Sequence, residues 1–97
     1  MDTYAILRRN GWRTADDLAK AAERSTAEGE RMSDDIAWIR SYVLKERDGT
    51  VGTICIYQAS SPEAIRAHAA AADLRIDEIV RVADTVIVRP DPVPAIT

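Results

Sequence analysis

The fold is decided by the middle of the chain, residues 36–59, which reads IAWIRSYVLKERDGTVGTICIYQA. Two segments rich in β-branched and aromatic residues, 36–46 and 51–59, flank the dipeptide Asp48-Gly49. Asp-Gly between such segments is a strong signal for a β-hairpin, because glycine readily takes the positive φ of a tight turn. This stretch therefore predicts two long antiparallel strands at the centre of a sheet.

The chain before the hairpin predicts one strand and one helix. Side chains alternate in character over residues 3–9, as in a strand, and Asn10-Gly11 is a turn signal. Thr14 is a favourable N-cap, and Gly29 is the expected stop of the helix. The residues expected on the inner side of this helix are Ala15, Leu18, Ala19, Ala22 and Ser25.

The chain after the hairpin predicts a second helix and a last strand. Residues 60–63 read SSPE, a helix start in which Ser60 as cap would complete a capping box with Glu63. The helix is expected to run to about Asp73. Valines and isoleucines over 79–89 predict the last strand, and the prolines that follow end regular structure.

The order strand–helix–strand–strand–helix–strand is that of the ferredoxin-like α+β fold. It predicts a four-stranded antiparallel sheet with two helices on one face, a single domain over residues 1–89 and a proline-containing tail over residues 90–97. Both faces of the predicted sheet are apolar. Because an apolar face is unfavourable in water, we expect a homodimer in which two sheets pack together, as in dimeric α/β-barrel proteins.

Composition narrows the class of protein. The net charge is −3, and acidic and basic residues are mixed along the chain, which argues against nucleic acid or a membrane surface as the partner. The single cysteine, Cys55, excludes an intrachain disulfide and a cysteine-rich zinc site. No apolar run approaches the ~20 residues of a membrane-spanning helix. The first residues do not resemble a signal peptide, so we expect a cytoplasmic protein.

Strand alternation sorts the hairpin side chains into two sets. The aromatic set is Trp38, Arg40, Tyr42, Cys55 and Tyr57. The aliphatic set is Ile39, Ser41, Val43, Ile54 and Ile56. The alanine-rich helices leave room for large side chains, so we expect the aromatic set under the helices and the aliphatic set against the partner subunit. The reverse assignment stays open, and a one-residue bulge would mix the sets.

His68 is the first residue to consider for chemistry. It shares an apolar helix face with Ile65 and Ala69, where a histidine is usually structural and bonded to a backbone carbonyl. Imidazole is also a common nickel or zinc ligand and a proton carrier near neutral pH. If the aromatic set faces the helices, His68 can share a pocket with Cys55, Tyr42 and Tyr57.

Cys55 and the arginines also have two interpretations each. Cys55 is either a small core side chain or a metal ligand, and one histidine and one cysteine do not complete a metal shell. Arg8 and Arg40 are expected at the rim of the sheet, although an arginine under a helix could bind an anionic ligand.

Three ordered motifs resemble a known family. They are W-x-x-S-Y-V at residues 38–43, C-x-Y at 55–57 and E-A-I-R-x-H-A at 63–69. In this order they resemble a family of small bacterial ferredoxin-like proteins that includes a nickel-responsive, nickel-binding member. The resemblance implies a dimeric ferredoxin-like fold and nickel as the metal to consider. It transfers the family's pattern to Trp38, Ser41, Tyr42, Cys55, Tyr57, Glu63 and His68. The long hairpin region 44–53 and the tail depart from the family pattern.

The expected function is therefore that of a homodimeric binding protein for a small molecule or a transition metal such as nickel. The expected ligand-binding residues are Trp38, Ser41, Tyr42 and Tyr57, and the expected metal ligands are His68 and Cys55. The alternative is a cofactor-independent enzyme of the dimeric α/β-barrel type, an oxygenase, isomerase or cyclase with His68 in the pocket. That alternative requires a mostly apolar cavity of at least about 300 Å³ around His68.

Overall fold

The computed structural model describes residues 1–93, and the end of the predicted tail, residues 94–97, lies outside them. The described chain has the predicted order of elements. They are β1 (Asp2–Trp12), α1 (Ala15–Arg31), β2 (Ile36–Lys45), β3 (Val51–Ala59), α2 (Pro62–Ala71) and β4 (Glu78–Arg81). The strands form one antiparallel sheet in the order β2-β3-β1-β4. The ferredoxin-like fold is thus confirmed. No helix within residues 1–93 is long and apolar enough to cross a membrane.

The predicted hairpin is confirmed nearly to the residue. β2 and β3 pair along their whole length, from Ile36 opposite Ala59 to Lys45 opposite Val51. Gly49 has a φ of 87°, the left-handed value that the Asp-Gly signal predicts for the turn. This hairpin places β3 in the interior of the sheet, between β2 and β1.

The first helix begins as predicted but ends later. The hydroxyl of Thr14 accepts a hydrogen bond of 3.1 Å from the backbone N–H of Asp17, which confirms the N-cap. The predicted stop at Gly29 is wrong, since α1 continues to Arg31. A Cβ at Gly29 would lie 3.8 Å from Nε2 of His68, so the glycine lies where α1 approaches α2.

The buried side of α1 also differs from the prediction. Ala21 and Ser25 are its buried residues, and Leu18 and Ala22 are half-buried. Ala15 and Ala19, which were expected on the inner side, are exposed. The buried residues follow the helical spacing of three and four, and the two exposed alanines lie at the edge of this stripe.

The second helix begins one residue later than a capping box on Ser60 would require. Its cap is Ser61, whose hydroxyl accepts a 3.2 Å hydrogen bond from the backbone N–H of Ala64. The Ser60 hydroxyl instead donates to the Asp35 carboxylate at 2.9 Å. The predicted helix extended to about Asp73, but α2 ends at Ala71.

The predicted turn at Asn10-Gly11 is wrong, because β1 continues to Trp12. Asn10 has a φ of 51°, and the register between β1 and β3 shifts between Arg8 and Trp12. The backbone N–H of Asn10 donates to the Glu46 carboxylate at 2.7 Å. Asn10-Gly11 therefore forms an irregularity inside the strand. Asn10 has no paired residue on β3 there, and its N–H is hydrogen-bonded by the Glu46 carboxylate instead.

The last strand is much shorter than the predicted 79–89. β4 pairs with β1 only from Leu7 opposite Glu78 to Tyr4 opposite Arg81. Since β1 begins at Asp2, it offers almost no backbone beyond this point to continue the pairing. The apolar residues Val86, Ile87 and Val88 therefore lie outside the sheet, with exposed fractions of 86%, 74% and 84%.

The core lies between the helices and one face of the sheet. Its buried residues are Tyr4, Ile6, Ile36, Cys55, Tyr57, Ala59 and Ile65. On β3, alternation holds as predicted: Cys55 and Tyr57 lie under the helices, and Ile54 and Ile56 lie on the opposite face. We call that opposite face the open face.

On β2 the predicted alternation is wrong after Trp38. A bulge lies between Trp38, which is opposite Tyr57, and Arg40, which is opposite Ile56. Ser41 is therefore opposite Cys55 and turns toward the helices, whereas Arg40 and Tyr42 turn to the open face. The extra residue exchanges the faces of every later side chain on the strand.

Candidate functional site

A cavity of about 240 Å³ lies between α1 and the helix-facing side of the sheet. We call it the helix-side cavity. The sheet contributes Arg8, Trp38, Ser41, Thr53, Cys55 and Tyr57 to its lining. The facing helix contributes Leu18, Ala21 and Ala22. The alanines fill little space opposite the aromatic rings, and this size difference leaves the cavity open.

Three of the four predicted ligand-binding residues line this cavity. The Trp38 and Tyr57 rings are stacked, with centroids 6.0 Å apart and planes 3° from parallel. The Trp38 indole N–H donates to Ser41 Oγ at 2.8 Å. The bulge on β2 allows this hydrogen bond to form, because it turns the Ser41 side chain to the same face of the sheet as Trp38.

The fourth predicted residue, Tyr42, lies elsewhere. Its hydroxyl donates to the Asp91 carboxylate at 2.9 Å on the open face, and Arg40 Nη1 lies 3.2 Å from the same carboxylate. These solvent-exposed contacts join Asp91, beyond β4, to β2, and exposed ion pairs of this kind add little stability. Tyr42 is therefore not brought together with Trp38 and Tyr57.

A hydrogen-bonded chain joins the sheet to both helices beside the cavity. The hydroxyls of Tyr57 and Ser25 lie 3.1 Å apart, and burial raises the pKa of the Tyr57 hydroxyl. Nε2 of His68 lies 2.9 Å from the Ser25 backbone carbonyl. Because a carbonyl only accepts, Nε2 carries the proton in this bond. His68 also packs against the Tyr57 ring, with centroids 5.7 Å apart.

Arg8 is buried, contrary to its predicted position at the rim. Its exposed fraction is 2%, Nε donates to the Arg75 backbone carbonyl at 2.8 Å, and Nη1 lies 3.4 Å from Cys55 Sγ. Nη2 is buried with no hydrogen-bond partner among residues 1–93. A signal for this burial was present in the sequence, since Arg8 has the same strand parity as the buried Tyr4 and Ile6.

The residues present do not fit a resident nickel ion within one chain. His68 is not among the residues that line the helix-side cavity with Cys55, and its ring is almost fully buried. The Cys55 thiol lies against the cationic Arg8. Within residues 1–93 there is no cluster of three or more histidine, cysteine, aspartate and glutamate side chains that could hold a metal ion. Nickel usually takes several such donors.

The enzymatic alternative also required His68 in a larger cavity. The observed cavity measures about 240 Å³, and its lining does not include His68. Glu63, which the resemblance also highlighted, is exposed in the first turn of α2, where its charge complements the helix dipole.

The order of elements and the packing of both helices on one sheet face define a small ferredoxin-like α+β protein. The chain belongs to the SCO4226-like family of nickel-responsive proteins, whose family model matches residues 4–82. The matched range covers both helices and nearly the whole sheet, and it confirms the family resemblance of the three motifs.

A solved structure shares the fold. The crystal structure of SCO4226 from Streptomyces coelicolor A3(2) matches with a TM-score of 0.67 and 20% sequence identity. The match covers 87% of this chain and 99% of that protein. At this identity the likeness shows the shared fold alone. A comparison with curated protein sequences finds no significant match.

Proposed function

We propose that this protein is a non-enzymatic, homodimeric binding protein that holds a small, mostly apolar molecule in the helix-side cavity. The cavity itself carries the proposal: it measures about 240 Å³, its accessible lining is almost entirely apolar, and two stacked aromatic rings form part of that lining. Small-molecule sites are lined predominantly by apolar and aromatic side chains. An apolar cavity of roughly 150 Å³ suffices for benzene, so a somewhat larger molecule is expected here.

Cavity-filling substitutions test the binding site. Ala22 lines the cavity from α1, whereas Ala19 lies exposed on the same helix. We expect ethylbenzene, a neutral probe, to shift the amide resonances of cavity residues in the wild type and in Ala19→Phe. In Ala22→Phe the new ring fills the site, and these shifts should be lost. Absence of binding to the wild type, or equal binding to both variants, would contradict the proposal.

The homodimer is supported by the open face. Leu7, Ile54 and Ile56 are only half-buried there, and Val80 has an exposed fraction of 42%. A second sheet packed on this face would remove their apolar surface from water. Sedimentation should give twice the chain mass of 10.7 kDa. Ile56→Glu should give the monomer, because it places a charge in the interface, and a wild type that is monomeric at all concentrations would refute the dimer.

Nickel is the second candidate ligand, and the family match favours it. In this proposal the buried His68 ring would have to become accessible so that Nδ1, the ring nitrogen that is not bonded to the Ser25 carbonyl, could bind the ion, and further donors would come from a second copy of the chain. Calorimetric titration of Ni²⁺ into chelator-treated protein tests this directly. Stoichiometric binding by the wild type that is lost in a His68→Ala variant shown to be folded by circular dichroism would support it, whereas identical weak binding by both proteins would refute it.

A further inference from the structure

Arg8 has unused hydrogen-bonding capacity in the interior. A guanidinium has five N–H donors and stays charged at all ordinary pH values. One donor is used by the Arg75 carbonyl at 2.8 Å, and another faces the Cys55 sulfur, a weak acceptor, at 3.4 Å. Nη2 has no partner among the described residues. Such a group normally finds an acceptor, because burying it without one is unfavourable.

The charge of Arg8 is also uncompensated within the described residues. No ion pair in residues 1–93 includes Arg8. Two carboxylates at the same end of the sheet are engaged by other arginines. Glu46 pairs with Arg9 at 2.8 Å, and Asp77 pairs with Arg75 at 3.0 Å. A buried cation without a partner is strongly unfavourable, so an anion from outside the chain would complete this site.

Arg8 lies beside two cavities, and the accessible lining of the helix-side cavity is almost entirely apolar. It lines the helix-side cavity and also a second cavity of about 190 Å³, and Trp12 and Leu74 are the other residues that line both. Two hydroxyls of the helix-side cavity already take part in hydrogen bonds within the chain, and neither carries a charge that would attract an anion. Ser25 is bonded to Tyr57, and Ser41 accepts from Trp38.

We infer that the ligand is an amphipathic monocarboxylate whose carboxylate binds the terminal nitrogens of Arg8. Its apolar body would lie in the helix-side cavity between the Trp38–Tyr57 stack and the alanines of α1. One guanidinium compensates one negative charge and can bind a carboxylate through two parallel hydrogen bonds. This inference rests on the proposed function, because it names the chemical class of the molecule in the same cavity.

Matched eight-carbon probes test the inference by calorimetry on the full chain. Octanoate, octan-1-ol and octylamine share the apolar body and differ in the head group. We expect octanoate to bind the wild type at least tenfold more tightly than octan-1-ol, about 1.4 kcal/mol, and octylamine to bind most weakly. In Arg8→Met the preference for octanoate should be lost while octan-1-ol binding is retained. Arg9→Met removes the same charge from an exposed neighbour and should leave the preference unchanged.

The outcomes separate this inference from the proposed function. If octan-1-ol binds the wild type and octanoate binds no more tightly, the carboxylate inference is wrong and the cavity proposal stands. If neither binds, both are wrong. Arg8→Lys keeps the charge without the planar fork, so its octanoate preference should be intermediate. If wild type, Arg8→Lys and Arg8→Met bind octanoate with equal affinity, the carboxylate does not bind Arg8, and the inference is overturned.

Discussion

His68→Ala should destabilise the protein strongly, whether or not nickel is present. The imidazole is almost fully buried, with an exposed fraction of 1%, and its Nε2 joins α2 to the Ser25 carbonyl of α1 at 2.9 Å. The ring also packs against Tyr57. Alanine at this position removes a contact between the two helices and a contact between α2 and the sheet.

The magnitude follows from three contributions. Truncating a large buried side chain to alanine costs about 2–5 kcal/mol of unfolding free energy. Because the imidazole is small and polar, its truncation should cost about 2 kcal/mol. Loss of the Nε2–carbonyl hydrogen bond adds about 1 kcal/mol. Alanine's higher helix propensity offsets up to about 0.7 kcal/mol. The free energy of unfolding should therefore fall by about 2–3 kcal/mol.

Urea unfolding followed by tryptophan fluorescence and circular dichroism measures this loss. With an m value of about 1.2 kcal/mol/M, the unfolding midpoint should fall by about 2 M. Arg66→Ala is the matched control, because Arg66 is exposed on the same helix. Its unfolding free energy should stay within about 0.5 kcal/mol of the wild type.

Two results would refute the structural role of His68. The first is a His68→Ala variant as stable as Arg66→Ala, which would mean that the imidazole is not packed as described. The second is a metal-free His68→Ala variant that is as stable as the metal-free wild type, combined with a urea midpoint that nickel raises in the wild type but not in the variant. That pattern would mean that His68 stabilises the protein by binding nickel and not by packing.

Three further substitutions test other parts of the structure. Gly52→Ala should cost about 1–3 kcal/mol in thermal unfolding, since its Cβ would lie 2.7 Å from the Arg8 carbonyl oxygen; an unchanged melting temperature would contradict this contact. Glu46→Gln should destabilise at pH 7, because the hydrogen bond from Arg9 holds the pKa of this carboxyl below its ordinary value of 4.5. The contribution of Glu46 is present above pH 4.5 and is lost as the pH falls through the lower folded pKa, so the difference from wild type should shrink in acid; a constant difference in unfolding experiments across pH 3–7 would count against it. Ser61→Ala should lose about 1 kcal/mol in urea unfolding through the missing N-cap, and Ser61→Asp should retain most of it.

Signals that act over a few residues predicted their elements well. The dipeptide Asp48-Gly49 located the central turn, and Thr14 was correctly identified as a helix cap. Both depend on the conformational preference or hydrogen bonding of one residue and its immediate neighbours. The prediction that Gly29 ends the helix was wrong. Gly29 lies where α2 packs closely against α1, and no local sequence pattern shows such a contact.

The candidate site was predicted only in part. Trp38 and Tyr57 were expected together under the helices, and they stack there. Ser41 and Tyr42 exchanged faces, because one extra residue in β2 reversed the alternation. Arg8 was missed as a buried residue, since its charge was given more weight than its strand parity.

The sequence by itself determined the order of strands and helices, the central hairpin and the family, because these follow from local propensities and from ordered motifs along the chain. Tertiary structure decided the length of β4, the bulge in β2 and the burial of Arg8. Strand ends and register depend on where the neighbouring strand begins and stops, and burial depends on which helix covers which face. For that reason the helix-side cavity, and the arginine inside it, emerged only when the elements were packed together.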